Sequence, residues 1–186
     1  ELIRTSAKIV AESLDLVESQ IRPGITTEEI DKVVADYIYS KGAVPAFKGF
    51  YGYPANTCIS IDEQVVHGIP GSRILKEGEI VSVDIGVKLN GYHGDAARTF
   101  AVGEVSQEKQ RLMDVTRESL YKGIEAAKEG NRLYDISHAI QKHVEEAGFS
   151  VVRDLVGHGL GKEMHEAPQI PNYGQPNRGP RLKEGM

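Results

Sequence analysis

Hydrophobic positions near the start of the chain recur every three or four residues, which is the spacing of an amphipathic helix. The buried stripe predicted for this first helix consists of Ile3, Ala7, Val10, Leu14, Val17 and Ile21. A second helix is predicted after Thr26, because Thr26 and Glu29 have the spacing of a capping box, and it ends near Gly42. The start of the chain is therefore predicted to form a pair of helices.

The same pattern returns later in the chain, at an offset of 106 residues. This offset maps Glu12-Ser13-Leu14 onto Glu118-Ser119-Leu120 and Gly42 onto Gly148. In the second copy, apolar spacing predicts one helix around 112–124 and another around 136–144. Two α-α-β halves of a duplicated unit predict an α+β fold whose strands form a shared antiparallel sheet. Residues from both halves are then expected to meet at one ligand site.

Between the two helix pairs, apolar segments flank Asn90-Gly91, which is the strongest short-range signal for a two-residue hairpin turn. This turn sets the register, so Gly86 is predicted to face Asp95. Asp84 lies two residues from Gly86 on the same face. The carboxylates of Asp84 and Asp95 are therefore expected to be diagonal neighbours, roughly 7–8 Å apart or less.

Two nearby carboxylates in an apolar strand repel each other and lose hydration, so they need a compensating cation. One reading is a metal site. The other has one aspartate hydrogen-bonded in the core while the second reaches solvent or pairs with Arg98 or Lys88. His158 ends an apolar run between glycines that allow close backbone approach. A lone histidine there is more often a hydrogen-bonded core residue, but together with two carboxylates it favours the metal reading. Two carboxylates and one imidazole form a partial ligand set that suits Mn, Fe, Co or Zn.

Composition excludes several classes of protein. The net charge of −5 argues against a nucleic-acid-binding surface as the main function. A single cysteine, Cys58, excludes an internal disulfide framework, and the charged first 20 residues do not resemble a signal peptide. No run approaches the ~18 apolar residues of a membrane span. We therefore expect one cytoplasmic domain over residues 1–186, with no membrane contact and no direct nucleic-acid function. A monomer is the expected oligomeric state.

Two motifs are specific enough to indicate a family. They are Gly157-His158-Gly159-Leu160-Gly161-Lys162-Glu163-Met164-His165-Glu166 and Val65-Val66-His67-Gly68-Ile69-Pro70. With Gly94-Asp95-Ala96-Ala97-Arg98-Thr99 they closely resemble the type I methionine aminopeptidases, and the resemblance spans essentially the whole chain. It implies the pita-bread fold of two pseudo-symmetric halves. The implied activity is metal-dependent hydrolytic removal of N-terminal methionine from nascent proteins and peptides.

In that family two divalent metal ions, of Co, Mn, Fe, Ni or Zn, are held by two aspartates, one histidine and two glutamates. The resemblance places Asp84, Asp95 and His158 in the first three ligand positions. The family's glutamates come after a Gly-Met like Gly185-Met186, where this chain stops. We expect a chain that is incomplete at both ends, lacks its C-terminal strands and is inactive by itself. A naturally truncated, inactive protein is the alternative.

Two further histidines have a catalytic and substrate-binding role by resemblance. His67 corresponds to the histidine near the scissile amide nitrogen, and His165 to the one that hydrogen-bonds the carbonyl oxygen. By residue type alone, His67 is a turn residue and His165 a surface residue. Three more histidines are interpreted as structural: His93, and His138 and His143 within a predicted helix. His93 shares the face of the two aspartates, so the hairpin geometry would permit a ligand role that the family pattern does not use.

An aromatic loop over residues 47–54 leads into Cys58. Aromatic rings and sulfur provide an apolar, polarizable sleeve for an unbranched thioether, although such a loop can also simply pack on the core. The resemblance assigns Phe50, Tyr53 and Cys58 to the substrate pocket. Phe47 and Met164 are weaker members, and this chain departs from the commoner family choices at three of these positions, Phe47, Phe50 and Met164.

Three alternatives share the fold. They are a proline-directed aminopeptidase or dipeptidase, a non-catalytic pita-bread binding module, and a type II methionine aminopeptidase. The short path from His158 to Gly185 disfavours the type II enzyme, and intact ligands in the matched region disfavour the binding module. The expected partner is the N-terminus of a peptide or nascent chain, with the ribosome as a further partner to be tested.

Overall fold

A computed structural model describes all of residues 1–186. The chain divides into two compact units. The first unit comprises residues 1–106 and 160–165, and the second unit comprises residues 107–159 and 166–186. The expectation of a single domain stays a prediction. No helix combines the length and the apolar character that crossing a membrane requires.

Two helices open the first unit, as predicted. Helix α1 spans Leu2–Gln20 and helix α2 spans Thr27–Ser40. The capping box is confirmed, because the Thr26 hydroxyl accepts from the Glu29 backbone N–H and the Glu29 carboxylate accepts from the Thr26 backbone N–H. The capping box therefore satisfies two of the backbone donors at the start of α2.

The buried face of α1 differs from the predicted stripe. Ile3 is 39% exposed and Ala7 is exposed, whereas Ser6 and Ser13 are fully buried. The Ser6 hydroxyl donates to the Tyr92 carbonyl over 2.9 Å, so its burial leaves no unsatisfied donor. Helix α1 and the strand that contains Gly94 are very close at this point, since a β-carbon on Gly94 would stand 2.6 Å from the Ala7 nitrogen. Position 6 of the helix therefore requires a small residue. Close packing of helix on strand therefore selects small polar residues over larger apolar ones.

The first unit contains a four-stranded antiparallel sheet. Its strands are β1 (Val44–Pro45), β2 (Cys58–Ile61), β3 (Ile80–Leu89) and β4 (Tyr92–Ala101). β3 is central: it pairs with β4 along its whole length and with β1 and β2 along its other edge. The turn residues Asn90 and Gly91 have φ angles of 51° and 80°, as a two-residue hairpin turn requires. The predicted register is confirmed, since Gly86 lies opposite Asp95.

The two faces of β3 differ sharply in character. One face buries Val81, Val83, Ile85 and Val87 completely, in a core shared with α1 and α2. The opposite face carries Ser82, Asp84 and Gly86, of which the first two are only half-buried. Burial of the apolar face therefore fixes the direction in which the aspartates point.

The second unit also begins with two helices, α3 (Gln107–Ala126) and α4 (Leu133–Glu146), as predicted. They pack closely at Gly123, where a β-carbon would stand 3.0 Å from Ile140 Cδ1. Leu120 and Ile124 of α3 are more than half exposed. Two short antiparallel strands, β5 (Val156–Gly159) and β6 (Glu166–Pro171), complete the unit.

The internal repeat extends to individual hydrogen bonds. The bounds of α4 are those of α2 shifted by 106 residues. At the start of α4, Asp135 accepts from the Arg132 backbone N–H over 2.7 Å, as Glu29 does from Thr26 at the start of α2. Each unit also ties a later leucine to the residues before its second helix. The bonds are Gly24 N–H to Leu75 carbonyl, Leu75 N–H to Ile25 carbonyl, Gly130 N–H to Leu182 carbonyl and Leu182 N–H to Asn131 carbonyl.

Candidate metal centre and substrate pocket

The carboxylates of Asp84 and Asp95 are neighbours on the open face of the hairpin. Asp84 lies opposite Ala97 and Asp95 lies opposite Gly86, so the two are diagonal across the strand pair. Burial, and then the adjacent Asp95 charge, raise the pKa of Asp84 well above the usual carboxyl range. A hydrogen bond between the two side chains acts in the same direction. The pair is therefore short of positive charge.

A shortage of positive charge between two oxygen donors is the condition that a divalent cation relieves, so these residues fit a metal. The side chains of His, Cys, Asp and Glu form no group of three or more that could hold a metal ion. The structure therefore brings together two of the three predicted ligands. His158 lies on β5 of the second unit, where its Nδ1 is 2.9 Å from the Gly159 carbonyl oxygen. Its role as a ligand stays a prediction.

All the residues assigned to the substrate pocket lie together in the first unit. They form an apolar cluster, separate from the main core, of Phe47, Cys58 and Met164 with Ala46, Phe50 and Tyr53 packed against it. Cys58 is the cross-strand neighbour of Asp84. Burial, assisted by the charges of Asp84 and Asp95, raises the pKa of the Cys58 thiol to about 11. The Cys58 thiol is therefore protonated and uncharged at neutral pH, and it forms part of the apolar lining of the cluster.

Gly86 joins the apolar cluster to the aspartate pair. It lies opposite Asp95 on the aspartate face, and a β-carbon there would stand 2.5 Å from Phe47 Cε1 and 3.1 Å from Met164 Cε. Only glycine leaves room for both side chains to pack onto the strand at this point. The apolar cluster and the carboxylate pair are therefore adjacent at Gly86.

His67 lies on an exposed loop that is held tightly to β2. Its φ is 60°, in the left-handed region, and the next residue, Gly68, accepts from the Ile59 backbone N–H over 2.8 Å. A β-carbon on Gly68 would stand 2.1 Å from the Ile59 carbonyl oxygen, so only glycine fits. The Tyr53 hydroxyl lies 3.0 Å from the Gly68 carbonyl, which connects this loop to the apolar cluster.

The segment 160–165 brings Met164 and His165 into the first unit. His93 holds it, because the His93 backbone N–H donates to the Gly161 carbonyl over 2.8 Å and the His93 Nδ1 lies 3.2 Å from the same oxygen. The His165 ring lies 5.3 Å from the Phe50 ring, between centroids. The structural interpretation of His93 is therefore supported, and His165 stands beside the apolar cluster.

Sequence reasoning missed the close packing at Gly86 and the hydrogen bonds of Asp31. A glycine inside a strand is a known signal for close approach of another group, and that signal was present at Gly86. Asp31 carried no local signal, because it reads as one polar position on an amphipathic helix. Its hydrogen bonds go to residues 56–57, far away in the sequence.

The whole chain, residues 1–186, matches the model of metallopeptidase family M24. A methionine aminopeptidase from Clostridium perfringens is 55% identical over 186 residues, which cover all of this chain and 75% of that relative. The crystal structure of methionine aminopeptidase from Thermotoga maritima has a TM-score of 0.98 at 47% identity, covering 100% of this chain and 75% of that one. A prolidase from Pyrococcus furiosus has a TM-score of 0.84 at 26% identity, covering 100% of this chain and 52% of that one.

Helix pairs with antiparallel strands and a carboxylate pair on a central hairpin define an enzyme of the pita-bread metallopeptidase class. The chain belongs to metallopeptidase family M24, and within that family it groups with the methionine aminopeptidases. It spans about three quarters of the length of these relatives. The predicted family and α+β fold class are therefore confirmed, and the family implies divalent metal cofactors.

Proposed function

We propose that this protein removes the N-terminal methionine from peptides and newly made proteins by metal-dependent hydrolysis. The observation that carries the proposal is the contact at Gly86, where a carboxylate pair and an apolar, sulfur-containing cluster meet on one strand. A substrate whose amide lies near the carboxylates can then place its first side chain in the cluster. The identity of 55% to a methionine aminopeptidase supports this assignment.

The residues proposed to hold metal are Asp84 and Asp95, with His158 as the third ligand that the resemblance implies. Two ions, of Co, Mn, Fe, Ni or Zn, are the proposed complement. When bound, divalent ions supply Lewis acidity and a water of lowered pKa. Asp84 and Asp95 would supply carboxylate oxygens to these ions, and His158 an imidazole nitrogen.

The chain's own side chains are proposed to orient the substrate. Phe50, Tyr53 and Cys58 enclose the methionine side chain, since rings and sulfur give a polarizable apolar surface. His165, next to Phe50, donates a hydrogen bond to the carbonyl oxygen as negative charge develops on it. His67 orients or protonates the leaving nitrogen. Recognition of the peptide's free amino group is proposed to restrict cleavage to the first residue.

The test is hydrolysis of matched short peptides by the metal-loaded full-length parent protein, because residues 1–186 alone are expected to be inactive. Met-Ala-Ser should be cleaved after methionine, Leu-Ala-Ser much more slowly, and Ala-Pro not at all. Preference for Ala-Pro would instead establish a proline-directed peptidase of the same fold. If the protein binds the peptides but cleaves them with none of the five metals, it is a non-catalytic binding module. Binding to purified ribosomes, sedimentation and cell fractionation test the ribosome, monomer and cytoplasmic expectations separately.

A further inference from the structure

Asp31 is a buried aspartate of α2 outside the candidate metal ligands and the apolar cluster. It is 9% exposed, yet its carboxylate accepts four hydrogen bonds from two consecutive residues. Asn56 donates its backbone N–H over 3.0 Å and its Nδ2 over 2.6 Å. Thr57 donates its backbone N–H and its hydroxyl, each over 2.8 Å. The carboxylate therefore fixes the backbone of residues 56–57 to α2.

The four donors are what make a buried charge at this position tolerable. An ionised carboxylate loses hydration on burial, and charge-assisted bonds to two backbone amides and two side chains replace that hydration. Asn56 directs its Nδ2 to Asp31 although its Oδ1 is then left buried without a partner. The amide of Asn56 is therefore oriented by the carboxylate rather than by its other surroundings.

Thr57 connects Asp31 to the residues of the pocket. It immediately precedes Cys58, and its carbonyl oxygen lies 2.9 Å from the Tyr53 hydroxyl. The same hydroxyl lies 3.0 Å from the Gly68 carbonyl, so it is within hydrogen-bond distance of both carbonyl oxygens. Two pocket residues and the neighbouring loop are therefore connected to Asp31 through a single residue.

The second unit shows that the helix pair does not need this carboxylate. The repeat offset of 106 residues puts Ser137 at the position equivalent to Asp31. Ser137 is fully buried, and its hydroxyl has no hydrogen-bond partner. Helix α4 nevertheless has the same length as α2, 14 residues. All four bonds of Asp31 go instead to the loop that leads into Cys58.

We propose that Asp31 is a positioning residue for the methionine pocket, an inference that rests on the proposed function. It holds Thr57, and through the Thr57 carbonyl it sets the ring of Tyr53 and the thiol of Cys58 at the spacing that admits an unbranched thioether. A residue with this role controls affinity for the first side chain. A residue that served folding alone would change stability and leave the affinity of the folded protein unchanged.

The test compares Asp31→Asn with Asp36→Asn, a change of the same kind at an exposed position of the same helix. Binding of L-methioninamide and of L-alaninamide to the manganese-loaded full-length parent protein is measured by calorimetry, without turnover. Asp31→Asn should weaken methioninamide binding by about tenfold, the scale of one charge-assisted hydrogen bond, and leave alaninamide binding unchanged. Asp36→Asn should bind both as the wild type does. Wild-type affinities in Asp31→Asn, or equal losses for both amides, would overturn the inference.

A double-mutant cycle with Tyr53→Phe tests the route. If Asp31 acts through Tyr53, the double variant should lose little more methioninamide affinity than either single variant. Additive losses would overturn that route. Thr57→Val removes one donor and preserves the side-chain volume, so it covers the case in which Asp31→Asn fails to fold. It should show a smaller loss in the same direction, and no loss would count against the inference. Selective methioninamide binding without Met-Ala-Ser cleavage would defeat the proposed function alone.

Discussion

The ring of Phe47 lies on the bare α-carbon of Gly86, so that an added β-carbon would stand 2.5 Å from Phe47 Cε1. Real β-carbons do not approach another heavy atom this closely, and the ring must move if any side chain is present. Because Gly86 also faces Asp95, the packing of the pocket and the position of a candidate metal ligand depend on the same residue.

Gly86→Ala should therefore impair methionine binding more than it impairs folding. Displacing Phe47 costs about 1–3 kcal/mol of overpacking, distributed between stability and pocket shape. In the full-length parent protein we expect a higher KM for Met-Ala-Ser, with a modest decrease in the unfolding temperature. Gly71→Ala is the matched control, because its β-carbon meets nothing within 4 Å. Equal effects of the two substitutions would contradict the contact at Gly86.

In the full-length parent protein, Asp95→Asn and His165→Ala should separate metal binding from charge stabilisation. Losing the charge of one of the two proposed carboxylate ligands should weaken metal binding and nearly abolish activity. His165→Ala should keep its metal and lower kcat by about 10²–10³, the cost of one donor to a developing oxyanion. Metal content by atomic emission and kcat are measured on the same samples. Equal metal loss in both variants would refute this division of roles.

Metal binding should release protons. The pKa of Asp84 is raised by burial and by Asp95, so the metal-free pair holds a proton that a cation has to displace. Affinity should therefore weaken as pH falls, and a chelator should abolish hydrolysis until metal is added back. Titration of manganese in two buffers of different ionisation enthalpy measures the release. A binding enthalpy that does not depend on the buffer would contradict it.

Asp135 should contribute stability that depends on acidity. Its carboxylate accepts backbone N–H groups from Asn177 and Arg132, which lower its pKa. A lowered pKa means that the contribution is present above the ordinary carboxyl pKa and is lost as pH falls through the folded value. Asp135→Asn should thus lower the unfolding temperature at pH 7, and the difference from wild type should vanish near about pH 2.

Asp154→Asn, at an exposed loop position of the same unit, is the control for Asp135→Asn. It should leave the unfolding temperature unchanged at both pH values. A difference between Asp135→Asn and wild type that persists unchanged in acid would show that packing, not the ionised cap, stabilises this helix start.

The elements that the sequence predicts correctly are those fixed by local chemistry. Thr26 and Glu29 mark a helix start because their side chains cap it, and Asn90-Gly91 sets the hairpin register because both residues adopt positive φ. Register in turn places Asp84 and Asp95 on one face without any knowledge of the rest of the fold.

The features that sequence reasoning misses depend on distant partners. Ser6 is buried because a glycine of β4 brings strand and helix together, and no periodicity within α1 reports that. The contact of Met164 with Gly86 joins residues far apart in the chain. Asp31 likewise acquires its significance only from Thr57, which the fold brings to it.

The duplicated helix pair gives the molecule an internal reference for separating folding from function. Glu29 and Asp135 have the same task in the two copies, so their chemistry belongs to the common scaffold. Asp31 and Ser137 occupy matching positions and differ, so the change there marks specialisation of one copy. A contact that one half makes and the other half folds without is a candidate for function, and this criterion can be applied within a single chain.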